Sequence, residues 1–314
     1  MNFILVVTLI IFSFIPQFLL RGTVDLKNKI SSVRGSATGH LMDEMDLSVY
    51  KNGNLEWRLF SNQAESFEDG RWKLFQVNGN FQQGKNSEVR FVGDRGDVDL
   101  NHKFISISGE VKAHSVDGYI FETETLNIRD GKDKGQIFYS NDRVKIYNEG
   151  EELEVFSKGI KGDVQTGEVE LLSEVTCQKS VKKYKDIKIS SDSAYFTSSL
   201  KGIRFRENLK ISQENFNIKG KEAYFIYDEK NKNLKSVQID GDILASDGVK
   251  TALSERVEMR TDEDVIIFQG NPRIRVGKNE MIGEEILITN QQKNIQVIRG
   301  NIKSTKEGIS IDEQ

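Results

Sequence analysis

Residues 103–128 read KFISISGEVKAHSVDGYIFETETLNI. Ile105, Ile107 and Val111 fall on one face of an extended chain, with Ser106, Ser108 and Glu110 on the other. After Asp117-Gly118, Tyr119, Phe121 and Thr123 alternate with Ile120, Glu122 and Glu124. Successive side chains of a strand point to opposite faces, so a period of two predicts two half-buried β-strands. Asp-Gly is a hairpin dipeptide, and Gly109 inside the first run marks a bend or bulge.

The same unit recurs on both sides of this hairpin. Residues 46–50 turn at Lys51-Asn52-Gly53-Asn54 into 55–60, with Leu55, Trp57 and Leu59 on one face. A polar, Ser/Gly-rich linker is expected over 23–45 and a charged connection over 61–70. In 71–81 the apolar phase shifts from Trp72 and Leu74 to Phe75 and Val77, which predicts a bulge. Residues 89–92 and 98–100 flank Gly93-Asp94-Arg95-Gly96, and short strands follow at 137–140, 144–147, 153–156 and 168–175. Beyond a short basic run, Lys182-Lys183-x-Lys185, more short strands are expected from 187 to 304, among them 203–205 with 209–212, 217–218 with 223–227, and 234–239 with 243–245. No segment after the N-terminus sustains a helical period, so the body is predicted to be all-β.

Glycine followed by Asn, Asp or Glu punctuates these runs at Gly79, Gly109, Gly241, Gly270 and Gly300, with a weaker copy at Gly162. Gly79 and Gly109 are 30 residues apart, Gly241 and Gly270 29, and Gly270 and Gly300 30. Such a period predicts stacked β units, none of which can bury its apolar face alone. Two antiparallel sheets enclosing those faces make a V-shaped roll or jelly roll.

Composition narrows the function classes. The net charge of −4 over 314 residues argues against a general nucleic-acid binder. Only two prolines interrupt the backbone's hydrogen bonding. Cys177 is the only cysteine, which excludes an intrachain disulfide and a CxxC site; it is expected to be buried. His40, His102 and His114 lack ligand spacing and are expected to be exposed, so no metal and no cofactor are expected. Glu122 and Glu124 share a strand face, which reads as a solvated edge rather than a carboxylate pair; Arg95-Gly96-Asp97 is a chance tripeptide, and no nucleophile elbow or phosphate loop is present. Residues 3–20 carry no charge and as a helix span about 27 Å, enough to cross a bilayer. No small-x-small cleavage site and no cysteine follow, so the segment reads as a retained anchor, with a cleaved signal peptide as the alternative. Arg21, Lys27 and Lys29 lie on its C-terminal side, which by charge alone keeps that side in the cytoplasm.

Tyr50-Lys51-Asn52-Gly53 with Leu55-Glu56-Trp57-Arg58-Leu59, then Trp72-Lys73-Leu74, Gly109-Glu110-Val111 and Asp117-Gly118-Tyr119-x-Phe121-x-Thr123-Glu124-x-Leu126, resembles the LptC family of inner-membrane lipopolysaccharide-export proteins over residues 1–177. Ile187-Lys188-Ile189-Ser190-Ser191-Asp192-x-Ala194-Tyr195, Ile218-Lys219-Gly220-Lys221-Glu222-Ala223, Phe268-Gln269-Gly270-Asn271 and Met281-Ile282-Gly283-Glu284-Glu285-Ile286 resemble the LptA/OstA-like bridge domain over 185–314. Members of the first family typically end after one module, and this chain lacks basic residues before the anchor. The resemblance implies a transmembrane anchor (1–22), a linker (23–45), an LptC-like β-jelly roll (46–178), a second linker (179–186) and an LptA/OstA-like β-jelly roll (187–314), the two rolls stacked. It also implies a single pass through the inner membrane with the body in the periplasm, opposite to the orientation that charge alone favours.

What the resemblance implies is a carrier without enzymatic activity. An acyl chain of ~12–14 carbons in water costs about 10 kcal/mol at ~0.8 kcal/mol per methylene, and an apolar groove removes that cost. The expected lining is Leu59, Leu74, Ile107, Val111, Tyr119, Phe121 and Leu126 in the first module. In the second it is Phe205, Ile211, Phe216, Ile218, Phe225, Ile239, Phe268 and Ile286. Any β-roll needs the same residues as core. The implied partners are lipopolysaccharide, an ABC transporter of the LptB, LptF and LptG type, and a periplasmic bridge or outer-membrane assembly β-jelly roll. The last would pair edge to edge with the final strands, 295–309. A membrane-tethered structural or adhesive β-solenoid without a lipid ligand and a β-helix hydrolase acting on envelope polysaccharide are the competing readings.

Overall fold

The computed structural model describes residues 28–29, 41–51, 54–82, 88–115, 119–130, 136–148, 153–163, 168–181, 184–197, 202–227, 234–260, 263, 265–289 and 294–303. The apolar segment 3–20, the Asp117-Gly118 turn, the Lys182-Lys183 pair and the chain after 303 lie outside them. Among the described residues no helix is long and apolar enough to cross a membrane.

The body is all-β and antiparallel, as the period of two predicts. The described residues divide into two compact units, one within 28–175 with 195–197 and the other within 176–194 and 202–303. In the first, β1 (Asn28–Lys29) pairs with the end of β2 (Leu41–Lys51). A meander follows through β3 (Asn54–Ser66), β4 (Arg71–Gln82), β5 (Glu88–Asp99), β6 (Phe104–Ser115), β7 (Ile120–Asp130), β8 (Gln136–Asn148) and β9 (Leu153–Asp163), each strand pairing with the next. The division falls within β10 (Val169–Val181) and again within β12 (Ser193–Thr197), which follows β11 (Tyr184–Ser191). The C-terminal unit continues with β13 (Gly202–Gln213), β14 (Phe216–Tyr227), β15 (Leu234–Ser246) and β16 (Lys250–Arg260). It closes with shorter pieces: β17 (Val265–Gln269), β18 (Arg273–Val276), β19 (Asn279–Ile282), β20 (Glu285–Thr289), β21 (Asn294–Ile298) and β22 (Asn301–Lys303).

The strands are longer than the pattern predicts, and bent. Pairs of expected short strands, such as 203–205 with 209–212, are the two halves of one strand. Gly93-Asp94-Arg95-Gly96 is no turn: it lies inside β5, where the register shifts between Val92 and Arg95. The expected linker and connection also shrink, because β2 begins at Leu41 and β3 runs on to Ser66, burying Ala64. At most bends the buried positions jump by three or four residues instead of two, as in Ile107 to Val111, Leu74 to Val77 and Thr123 to Leu126. Val77 therefore points inward while Phe75 is exposed.

The bends explain the repeat. Gly109 and Glu110 both have positive φ (83° and 43°), as do Gly241 and Asp242 (85° and 45°) and Gly270 and Asn271 (76° and 53°). Two left-handed residues in succession turn an extended chain sharply, and glycine takes that conformation without steric cost. Gly159 (φ 85°) bends β9 in the same way, and other bends rest on non-glycine residues, including Glu44, Gln76, Glu207, Asn208 and Arg299. Left-handed positions thus recur near 44, 76 and 109, and again near 207, 241, 270 and 299, about one strand pair apart. Gly79 belongs to the repeat for another reason: a Cβ there would lie 2.5 Å from the Phe91 ring and 2.6 Å from the Arg58 carbonyl oxygen.

Candidate functional site

The interior of each unit is built from the inward halves of these bent strands. Residues directly opposite in an antiparallel ladder share a face. In the C-terminal unit one inward row runs Phe205–Ala223–Ile239–Val257–Phe268–Ile286 across β13 to β17 and β20. Ile211 faces Ile218 across the bend, and Phe216 follows the same face. Phe225 packs edge-on against Phe205, with ring centroids 5.6 Å apart and an interplanar angle of 75°. In the N-terminal unit one row runs Leu59–Gly79–Phe91–Ala113–Phe121, and on the other side of the bends a second runs Ala64–Leu74–Gly96–Ile107–Leu126. Leu59, Leu74, Phe91, Ile107, Val111 and Leu126 belong to one cluster, so both halves of each strand feed a single core.

All the expected lining residues lie inward. Ile107, Val111, Ile239 and Ile286 are 0% exposed, and the others are buried except Phe121, which is partly buried against the core. The side chains are covered by one another. Phe91 was not among the expected lining, although it is fully buried in the same row. Its signal was available in the alternation Val89, Phe91, Gly93.

Polar groups within the interior cluster at the bends, where ladder hydrogen bonds are interrupted. The Thr123 and Ser140 hydroxyls are 2.9 Å apart, Ser140 Oγ accepts from the Asp142 amide at 3.1 Å, Ser157 donates to the Gly159 carbonyl at 3.0 Å, and Ser191 donates to the Ser193 carbonyl at 2.8 Å. Such bonds spare buried backbone groups the cost of lying unpaired.

On the outer face a charged ladder crosses β6 to β9. Lys112 pairs with Glu122 at 3.0 Å, the Tyr147 hydroxyl donates to Glu122 at 3.2 Å, and Lys145 pairs with Glu154 at 2.8 Å. Lys145 also lies over the rings of Tyr147 and Phe156. The Lys112 ammonium holds the Glu122 carboxyl below its ordinary value. That keeps it ionised near neutrality, which is the wrong direction for a general acid. Asp99 is likewise held low, by the His102 backbone N–H and imidazole. Cys177 is buried, and His102 and His114 are exposed as expected. Arg95-Gly96-Asp97 lies within β5, with Gly96 facing the core.

The last strands each pair on one side: β21 with β20 and β22 with β19. Among the described residues no strand covers their outer edges, and Ile295 and Ile302 are exposed there.

Residues 6–180 match the family model described as lipopolysaccharide-assembly, LptC-related. Residues 188–294 match that described as LptA/(LptD N-terminal domain) LPS transport protein. Among solved structures, the chain is similar to LptH, the LptA-homologous periplasmic component of the lipopolysaccharide transport device from Pseudomonas aeruginosa. Identity is 13% and the TM-score 0.32, over 41% of this chain and 90% of the other. No curated protein matches the chain significantly.

Proposed function

Because the chain belongs to the LptC-related lipopolysaccharide-assembly family, which it matches over more than half its length, we propose that it is a lipopolysaccharide carrier joining an LptC-like and an LptA-like module in one chain. The two family matches indicate a role in lipopolysaccharide transport through a periplasmic bridge. The protein performs no chemistry of its own. The carrying observation is the inward apolar face of each unit, with Phe121 on one and Phe225 on the other.

In this reading residues 1–22 anchor the chain in the inner membrane and the modules over 46–178 and 187–314 stand in the periplasm. The first module receives lipid from an ABC transporter, and ATP hydrolysis belongs to that partner. Because the lining side chains cover one another, an acyl chain enters as the two halves of a roll part. The apolar area that parting exposes is then covered by lipid instead of water. The exposed edges of β21 and β22 pair with the next bridge component, using backbone groups that otherwise face solvent.

Depletion of the protein from cells tests this. Newly made lipopolysaccharide is expected to accumulate at the inner membrane, and re-expression is expected to restore its passage. Undisturbed delivery to the outer membrane after depletion would favour the membrane-tethered structural reading.

A further inference from the structure

One outer face of the C-terminal unit combines unpaired cations with exposed aliphatic side chains. The register aligns Ser190, Lys210, Lys219, Leu244, Leu253 and Arg273 in one row across β11, β13, β14, β15, β16 and β18. Lys188 and Arg275 lie on the neighbouring row of the same face. Lys188, Lys210 and Lys219 are exposed and, among the described residues, have no ion-pair partner. Of the acidic groups near these rows, Glu280 lies between Arg275 at 3.1 Å and Arg273 at 3.7 Å, and Asp186 keeps its charge while accepting from the Gln178 amide at 2.7 Å.

Beyond the bends of the same strands the outer face is different. There Arg204 pairs with Glu222 at 2.6 Å, Arg256 with Asp240 at 2.6 Å and Arg260 with Glu258 at 2.7 Å. The charges on that side are neutralised within the protein. In a chain of net charge −4, the free lysines of the first face form a local positive field.

The apolar part of the face is also placed for contact. Leu244 and Leu253 are direct cross-strand partners, 37% and 45% exposed. Val249, 73% exposed, stands at the tip of the turn joining β15 to β16, beside Lys250. That turn is held by the Asp247 carboxylate, which accepts from the backbone N–H of Val249 at 3.0 Å and of Lys250 at 2.7 Å.

We propose that this face docks on the surface of an anionic lipid bilayer, independently of what the interior carries. Lysines keep their ammonium groups at headgroup phosphates while their stems and the neighbouring leucines sit against the interfacial layer. Each basic residue at an anionic surface strengthens binding roughly fivefold, so the three free lysines together contribute about a hundredfold. Among the described side chains the face has no exposed aromatic anchor of the kind that dominates protein–protein hot spots. Lysine point charges, rather than paired arginine forks, suit a fluid layer of phosphates.

The test uses the full chain with Cys177→Ala and Val249→Cys, carrying an environment-sensitive fluorophore at 249. It is reconstituted in vesicles of phosphatidylcholine alone or with added phosphatidylglycerol. With phosphatidylglycerol the fluorophore is expected to shift to the blue and be quenched by brominated lipid. Both signals are expected to vanish in high salt and in the Lys188→Glu, Lys210→Glu, Lys219→Glu variant, whose fold is checked by circular dichroism. The same label at Gln296, on the charge-neutralised side, is expected to stay in water. Equal quenching in both vesicles, quenching that survives the charge reversals, or no quenching in phosphatidylglycerol would each overturn the proposal.

Discussion

Phe225→Ala is expected to lower the stability of the C-terminal unit by about 3–5 kcal/mol, as for other buried phenylalanines truncated to alanine. Phe225 is 2% exposed and meets Phe205 edge-on, so truncation removes an aromatic contact and leaves a cavity between adjacent strands. Phe225→Leu keeps most of the volume and should cost much less. The readout follows from where the tryptophans are. Trp57 and Trp72 are the only two, and both lie in the N-terminal unit, on β3 and β4. Tryptophan fluorescence therefore follows that unit, whereas far-ultraviolet circular dichroism follows both. In denaturant, Phe225→Ala should move part of the dichroism transition and leave the fluorescence transition in place. A fluorescence transition that moves by the same amount would mean the two units unfold as one, against the two-module organisation proposed above.

A second large effect is expected at the bend of β6. Gly109 has φ 83°, and a Cβ there would lie 2.5 Å from the Asp94 carboxylate and 2.7 Å from Asp94 Cβ. Gly109→Ala should therefore lose stability twice over. The left-handed backbone costs about 1–2 kcal/mol for a residue with a Cβ, and the contact with Asp94 adds to it. In an Asp94→Gly background the contact disappears and only the backbone cost should remain, so a double-mutant cycle separates the two. Here the fluorescence transition is the one that should move, because Gly109 lies in the same unit as the tryptophans. A neutral Gly109→Ala in either background would mean that the bend does not depend on the left-handed conformation.

These two positions mark what the residues reveal directly and what they hide. The inward face is legible because Phe205, Ile211 and Ile239 alternate with polar neighbours, and alternation is what a half-buried strand requires. The bends are legible where a Gly-Asn/Asp/Glu pair recurs and, in β4, from the shift of apolar phase over 71–81. At Gly109, Gly241 and Gly270 the Gly-Asn/Asp/Glu pair coincides with the left-handed residues. Glu174 and the pair Glu207 and Asn208 take the same conformation with no local glycine to announce it. Their only trace is a jump of the buried phase by three or four residues, which in a linear reading looks like the end of one strand and the start of another. That is why β13 reads as a pair of short strands; in β14, β15 and β5 the glycines at the bend, Gly220, Gly241 and Gly93 with Gly96, read as breaks between strands. Phe91 escaped notice for a related reason. Its partner Gly79 has no side chain to show that the row passes through it, and the ring fills the space that glycine leaves.

The most direct test of the central proposal is photocrosslinking in living cells. A photoreactive amino acid would replace Phe121 or Phe225, on the inward rows, and Glu122 or Tyr224, on the outward face of the same strands. The carrier account predicts lipopolysaccharide adducts at Phe121 and Phe225 and none at the outward pair; absence of adducts at every inward position, with the protein folded and present, would contradict it.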